Sequence, residues 1–191
     1  MELFALDEDV TRLASELAAL SGPARLPTLV KLAWYLRQRA GERSLELADE
    51  ADALLALAST SSDLDQGRPH ARLALLRSEL ALLRGQTDGA QTLLRAAMAA
   101  FDALGDVIGL GDAHWLQASI GVDAGDGEQV EHGLHAALVQ YRQGADNQRM
   151  QAVLARQLVN ASFRDPAATA LQLRQVFAAD AACSPGVATW V

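Results

Sequence analysis

Cysteine is almost absent. Cys183 is the only one in 191 residues, so no disulfide can form within the chain and a reducing compartment fits. Aromatic residues make up only 5% of the chain, so small aliphatic side chains must fill its cores. β-Branched residues are sparse too, which argues against a sheet-based fold. Bases are outnumbered, 16 against 24 acids, for a net charge of −8 and no Lys/Arg run. Nucleic acid needs clustered cations against phosphate, and an anionic membrane attracts the same clusters, so neither is expected as a partner. The opening MELFALDEDV carries acids where a secretory leader has a basic flank. No window reaches the ~18 consecutive apolar residues of a membrane span. The expectation is a cytoplasmic protein.

What the chain has is alanine and leucine. Apolar residues make up 50% of it, and these two strong helix formers carry most of that share. The composition predicts an all-α protein whose helices approach closely through small side chains.

A period of forty organises those helices. After Gly85, the offsets +5, +9 and +12 fall on Ala90, Leu94 and Ala97; after Gly125 they fall on Val130, Leu134 and Ala137. From Asp165 the same offsets give Ala170, Arg174 and Phe177. Phe101 returns as Tyr141, and the turn Gly105-Asp106 returns as Ala145-Asp146. An earlier copy shows in Ser44, Ala48 and Ala51 after the RAGER turn, set further away by the polar stretch Ser59 to Pro69, which reads as a longer loop. Each copy is a helical segment, a short turn, and a second helix with small or apolar residues at i, i+4 and i+7. Gly41, Gly85 and Gly125 suit the left-handed end of a helix. Asp165-Pro166 suits a helix start. Asp88 with Gln91 and Asp126 with Gln129 are candidate capping boxes. One such hairpin cannot bury its outer apolar face, so each needs the next.

LLRGQTDGAQTLLRAAM and DAGDGEQVEHGLHAAL carry a helix, a Gly-containing turn and an Ala-rich second helix, and they resemble the tetratricopeptide repeat. The resemblance implies a right-handed superhelical array of antiparallel helical hairpins, an α-solenoid, with four copies across residues 27–180 and an N-terminal helix before them in a single domain. The period exceeds the family's usual thirty-four, which predicts longer second helices or longer links. Arg77, Gln117 and Gln157 stand where the family commonly has a large apolar residue. More narrowly, LAWYLRQRAGERSLELADEADALL and ALGDVIGLGDAHWLQASIGVDAGD look like the N-terminal repeat regions of bacterial signalling proteins whose output domain is a GGDEF diguanylate cyclase. No GGDEF motif occurs in these residues. The ending CSPGVATWV begins an apolar segment after a Pro-Gly break, so a longer chain is expected to continue.

First helices line the inner groove in this architecture, so Trp34 and Trp115 are candidate anchors for a peptide or flat ligand. The plainer reading is that they fill hairpin cores. Arg37, Glu79 and Asp123 are polar first-helix residues able to orient a ligand, against ordinary solvation. His132 and His135, with Glu128 and Glu131 nearby, have metal-ligand spacing, but Leu134 and Ala137 take the inward face and a solvated pair is the stronger reading. The acids of Leu45 to Leu55 form either a docking face for a basic partner or the wet face of a helix. Ser119 and His114 point to different faces and make no dyad. Gly-rich phosphate loop, nucleophile elbow and Cys–His pair are all lacking, so no cofactor and no catalysis is expected. The leading expectation is a non-enzymatic module that binds a protein or peptide, or pairs with itself as a homodimer, in the input region of a signalling protein. The alternative is a small-molecule sensor that regulates an attached output domain such as a diguanylate cyclase.

Overall fold

Four turns set the rhythm of the chain. Gly85, Gly105, Gly125 and Ala145 all take the left-handed conformation, with φ of 72°, 61°, 68° and 52°. They lie twenty residues apart, half the period seen in the sequence. At each one the next residue donates its N–H to a carbonyl five residues back, on Ala81, Phe101, Gly121 or Tyr141, at 2.8–3.0 Å. This closure satisfies carbonyls that a helix end would otherwise leave without a partner. Three of the turns then start the next helix with an aspartate cap. Asp106, Asp126 and Asp146 accept from the amides of Gly109, Gln129 and Arg149 at 2.9–3.0 Å.

The computed structural model describes residues 2–57, 63–163, 166–167 and 170–171. Among these the regular structure is helical throughout, with no strand. The helices are α1 (Asp7–Ala19), α2 (Leu26–Leu36), α3 (Gly41–Leu57), α4 (Asp63–Leu83), α5 (Thr87–Ala103), α6 (Val107–Ala124), α7 (Gly127–Gln143) and α8 (Asn147–Ser162), with a 3₁₀ turn at Gly22–Arg25. The second helices α3, α5 and α7 are each 17 residues long. α2 packs on α3, α4 on α5 and α6 on α7, while α5 meets α6, α7 meets α8, and the first helices α2, α4 and α6 touch in succession. No described helix is long and apolar enough to cross a membrane.

The repeating positions are the buried ones. Ser44, Ala48 and Ala51 of α3, Ala90, Leu94, Ala97 and Phe101 of α5, and Val130, Leu134, Ala137 and Tyr141 of α7 all face inward. A Cβ on Gly133 would stand 2.8 Å from the amide nitrogen of Ala118 and 2.9 Å from the carbonyl of His114, so the small residue there lets α7 lie directly against α6. Two apolar clusters result. The larger runs from Leu3 through α1–α6 to Ala152, and the smaller lies among α6, α7 and α8 around Leu134 and Tyr141. Trp115 packs against both.

Several local expectations need correction. From Asp63 onward the polar stretch expected as a loop is helix, and α4 runs through Pro69. Proline withholds one main-chain donor there, and tertiary contacts override that local cost: Ala71, Arg72, Leu73, Leu75 and Leu76 on the same helix are all buried. Gly41 does not take the left-handed turn; it opens α3. Gln86 rather than Asp88 flanks α5, which has no side-chain cap, and Asp88 sits inside its first turn. Asp126 does cap α7, but the Gln129 amide reaches the Gln117 carbonyl at 3.5 Å. The Asp165-Pro166 turn and the residues Arg174 and Phe177 of the fourth copy lie outside the described residues in whole or in part.

Candidate functional site

A strip of main chain lies against α2. Residues 2–6 precede α1 without helix or strand, and three of their carbonyls accept hydrogen bonds from α2 and its C-terminal turn. The Trp34 indole donates to Glu2 O at 2.9 Å, Arg37 Nη2 donates to Leu3 O at 3.1 Å, and Arg39 Nη2 donates to Ala5 O. The Glu2 amide in turn donates to the Tyr35 hydroxyl at 3.1 Å. Leu3 and Ala5 are buried, and Phe4 meets Trp115 of α6 edge to face, 6.5 Å between centroids at 76°. Arg39 also pairs with Asp7 at the exposed rim. The strip therefore bridges α2 and α6.

Arg37 is the fixed point of this arrangement. Only 4% exposed, it stacks 3.8 Å over the Trp34 ring and donates to Glu79 at 2.7 Å and to the Trp34 carbonyl at 2.6 Å. A guanidinium held on three sides offers its remaining donors in a set direction at little entropic cost.

A buried ionic network continues from there across the molecule. Arg72 of α4 lies 4.8 Å over the Trp34 ring and 5.0 Å over the Phe101 ring, and pairs with Asp112 of α6. Asp112 also accepts from Arg149 Nε of α8 and from the Tyr141 hydroxyl of α7, each at 2.8 Å. One carboxylate thus ties four helices. Arg149 reaches Asp146 as well, at 2.8 Å, so three buried arginines face Glu79, Asp112 and Asp146. Among the described residues no buried side-chain nitrogen or oxygen lacks a partner. Burial alone would raise the Asp112 carboxyl, but Arg149 and Arg72 outweigh it and hold the group at about 2. Burial, then the Asp112 charge, push the Tyr141 phenol well above its ordinary value. Burial would lower the Arg149 guanidinium, and Asp112 overrides that and raises it. At neutral pH Asp112 is ionised and saturated with donors.

The sequence-predicted groove residues divide. Trp34, Arg37 and Glu79 come together, but inward: Trp34 is 1% exposed and fills the core, and its indole N–H donates to the strip. Trp115 is half-buried and presents an edge-to-face contact to Phe4. Asp123 stands apart on an exposed face, where Thr87 Oγ1 donates to it at 3.3 Å. His132 and His135 are exposed on α7, and among the described residues no group of three or more His, Cys, Asp or Glu converges on a metal-sized point. Burial lowers the His114 imidazole, favouring its neutral form; its Nδ1 lies 3.1 Å from Gln117 Oε1. The acidic run on α3 is spoken for within the chain. Glu46 pairs with Arg43, Glu50 with Arg25, and Asp49 and Asp52 both with Arg77.

Sequence reasoning missed Arg39, Arg72, Asp112, Tyr141 and Arg149 as site-forming residues, and the strip 2–6 altogether. One signal was present. Arg72 and Asp112 occupy equivalent positions forty residues apart with opposite charge, in segments whose neighbours are apolar. A cleft of about 390 Å³ also opens between α7 and α8, lined by Glu131, Leu134, His135, Gln157, Asn160 and Ala161. In comparisons with known proteins, no family, no curated protein and no solved structure matches this chain.

Proposed function

We propose that this chain is a non-enzymatic, tetratricopeptide-like binding module whose inner helices hold an extended protein or peptide segment. One observation carries the reading. Residues 2–5 lie across α2 and α6 with the carbonyls of Glu2, Leu3 and Ala5 accepting from Trp34, Arg37 and Arg39. Side-chain donors aimed at main-chain carbonyls recognise the path of a backbone, here bent at Leu3 and Phe4, whatever its sequence, and flanking contacts for side chains supply selectivity. In the superhelical array that the forty-residue period implies, α2, α4 and α6 would form the concave wall of that groove. Placement in the cytoplasm, in the input or dimerisation region of a bacterial signalling protein, rests on the likeness of Leu32–Leu55 and Ala103–Asp126 to repeat regions that precede GGDEF domains.

Panning a library of random extended peptides against the full chain tests this. Support is an enriched motif whose binding weakens in Arg39→Ala, a rim residue whose loss spares the buried network. Absence of any enriched motif, with a monomer in sedimentation, counts against a binding or dimerisation module. A second reading, small-molecule sensing, draws on the cleft between α7 and α8, whose volume falls within the ~300–1,000 Å³ of ligand pockets. A soluble metabolite that raises the melting temperature of the intact chain but not of His135→Ala would favour it.

A further inference from the structure

We infer that the α2–α6 groove recognises a partner peptide with the pattern large apolar, aromatic, small, any residue, acid, and that this chain's own Glu2-Leu3-Phe4-Ala5, which leads into the α1 start at Leu6-Asp7, is its resident, displaceable occupant. The inference rests on the binding-module reading above and names its partner class and its regulation.

The register comes from the seated strip. Leu3 is 1% exposed and fills a closed position beside Arg37, so that place takes a large apolar side chain. Phe4 presents its ring to Trp115, an aromatic preference with centroids 6.5 Å apart. Ala5 is 6% exposed, so this place holds a small side chain out of solvent. Asp7 pairs with Arg39 although its side chain is 96% exposed, so an acid at this place adds charge complementarity at the rim.

Two of the three side-chain donors that hold the strip, Trp34 and Arg37, are fixed without it, while Arg39 is held by Ala5 and Asp7. Arg37 is anchored by Glu79, by the Trp34 carbonyl and by the Trp34 ring, all independent of residues 2–6. The Trp34 ring is itself packed by Arg37 at 3.8 Å and by Arg72 at 4.8 Å. A site whose polar groups are positioned by the fold remains a site when its occupant leaves. The strip itself adds no helix or strand to the fold, and Leu6 is where α1 begins its cap. Residues 2–5 lie outside α1 and its Leu6 cap, so they can leave while α1 stays packed on α2. Tethering gives the resident strip an effective concentration on the order of millimolar, so a free peptide competes poorly until the strip is weakened.

The test uses an acetylated, fluorescein-labelled peptide Glu-Leu-Phe-Ala-Leu-Asp and the full chain, with binding read by fluorescence anisotropy. Leu3→Asp places a charge in the closed apolar position and should evict the strip. Phe4→Ala removes one ring contact and should loosen it. The expected result is peptide affinity at least tenfold higher for both variants than for the intact chain, with circular dichroism unchanged, and a loss of about fivefold when Arg39→Ala is added. Equal binding to intact chain and variants, undiminished by Arg39→Ala, would mean that the peptide sits elsewhere; that overturns the inference and leaves the module reading standing. No binding to any variant also overturns it, while the random-peptide panning decides the module reading separately. Unfolding of Phe4→Ala would make residues 2–6 a structural part of the core and overturn it too. So would a dimer of the intact chain that Leu3→Asp abolishes, because the strip would then belong in the groove of a second copy.

Discussion

Phe101 and Tyr141 are the same position in successive hairpins, forty residues apart, yet their surroundings are rewired. Both rings are fully buried at the ends of 17-residue helices, and both are followed by a left-handed turn and an aspartate cap. Phe101 takes its cation from its own hairpin, where Arg72 lies 5.0 Å over the ring. It takes its space from the next first helix, where a Cβ on Gly109 would stand 2.3 Å from the ring. Tyr141 reverses both. Its cation, Arg149, comes from the next first helix at 5.9 Å, and its space comes from Gly111 of its own hairpin, whose Cβ would stand 2.4 Å from the ring. At the position equivalent to Arg72 stands Asp112, which accepts the Tyr141 hydroxyl. A phenol needs an acceptor when buried and a phenyl ring does not, so the charge at the facing position changes sign with the ring. The swap also places an arginine and an aspartate on neighbouring first helices, where they pair. A repeat can therefore keep its skeleton and still join its copies by specific polar contacts.

The largest effect should come from cutting that joint. Asp112→Ala leaves Arg72 and Arg149 buried without their shared partner and should cost ~3–5 kcal/mol in denaturant unfolding. The same carboxylate sets an acid limit. Its folded value of about 2 lies below the ~3.9 of an unfolded aspartate, so its contribution is present above pH ~4 and lost as pH falls towards 2. Asp112→Asn should flatten stability across that window in an acid titration followed by circular dichroism. At the alkaline end, the raised Tyr141 phenol favours the protonated form in the fold, so stability should decline above pH ~10 in the parent chain and decline less in Tyr141→Phe.

Next in size are the two glycines. Gly109→Ala and Gly111→Ala each drive a methyl into a buried ring and should cost ~1–3 kcal/mol through overpacking. Equal costs would show the two rings to be held with equal tightness despite their different partners. Tyr141→Phe removes one charged hydrogen bond from a carboxylate that keeps two arginines, and should cost about 1.5 kcal/mol. The smallest effect tests the turns. Gly105→Ala should destabilise and Ala145→Gly stabilise, each by about 1 kcal/mol, because only a residue lacking Cβ takes positive φ without strain. Thermal melts of the two variants should shift in opposite directions.

How far the sequence carried depended on whether a feature was local. The hairpins of residues 26–143 were legible because their determinants lie within a turn or two: Gly85 and Gly125, the aspartates that follow the turns, and small residues at i, i+4 and i+7. The start of α4 was misread for the same reason, since Asp63 to Pro69 has the composition of a loop and only the buried side chains beyond it make it helix. Arg37 and Glu79 were singled out as polar first-helix residues able to orient a ligand, but their mutual pairing across 42 residues was not visible. Asp112 and Arg149 were missed outright because burial of charge runs against composition rules and is decided by partners far along the chain. The strip was invisible too, since it is fixed by α2 residues more than thirty positions away.

The central claim, that the groove holds an exchangeable segment, is tested most directly by ¹⁵N-labelled full chain titrated with unlabelled Glu-Leu-Phe-Ala-Leu-Asp to millimolar concentration. The account predicts that the amide signals of residues 2–5 move to random-coil positions while those of α4, α5 and α7 stay in place. Signals of residues 2–5 that hold their positions at saturating peptide would contradict it, and would make the strip a fixed part of the core.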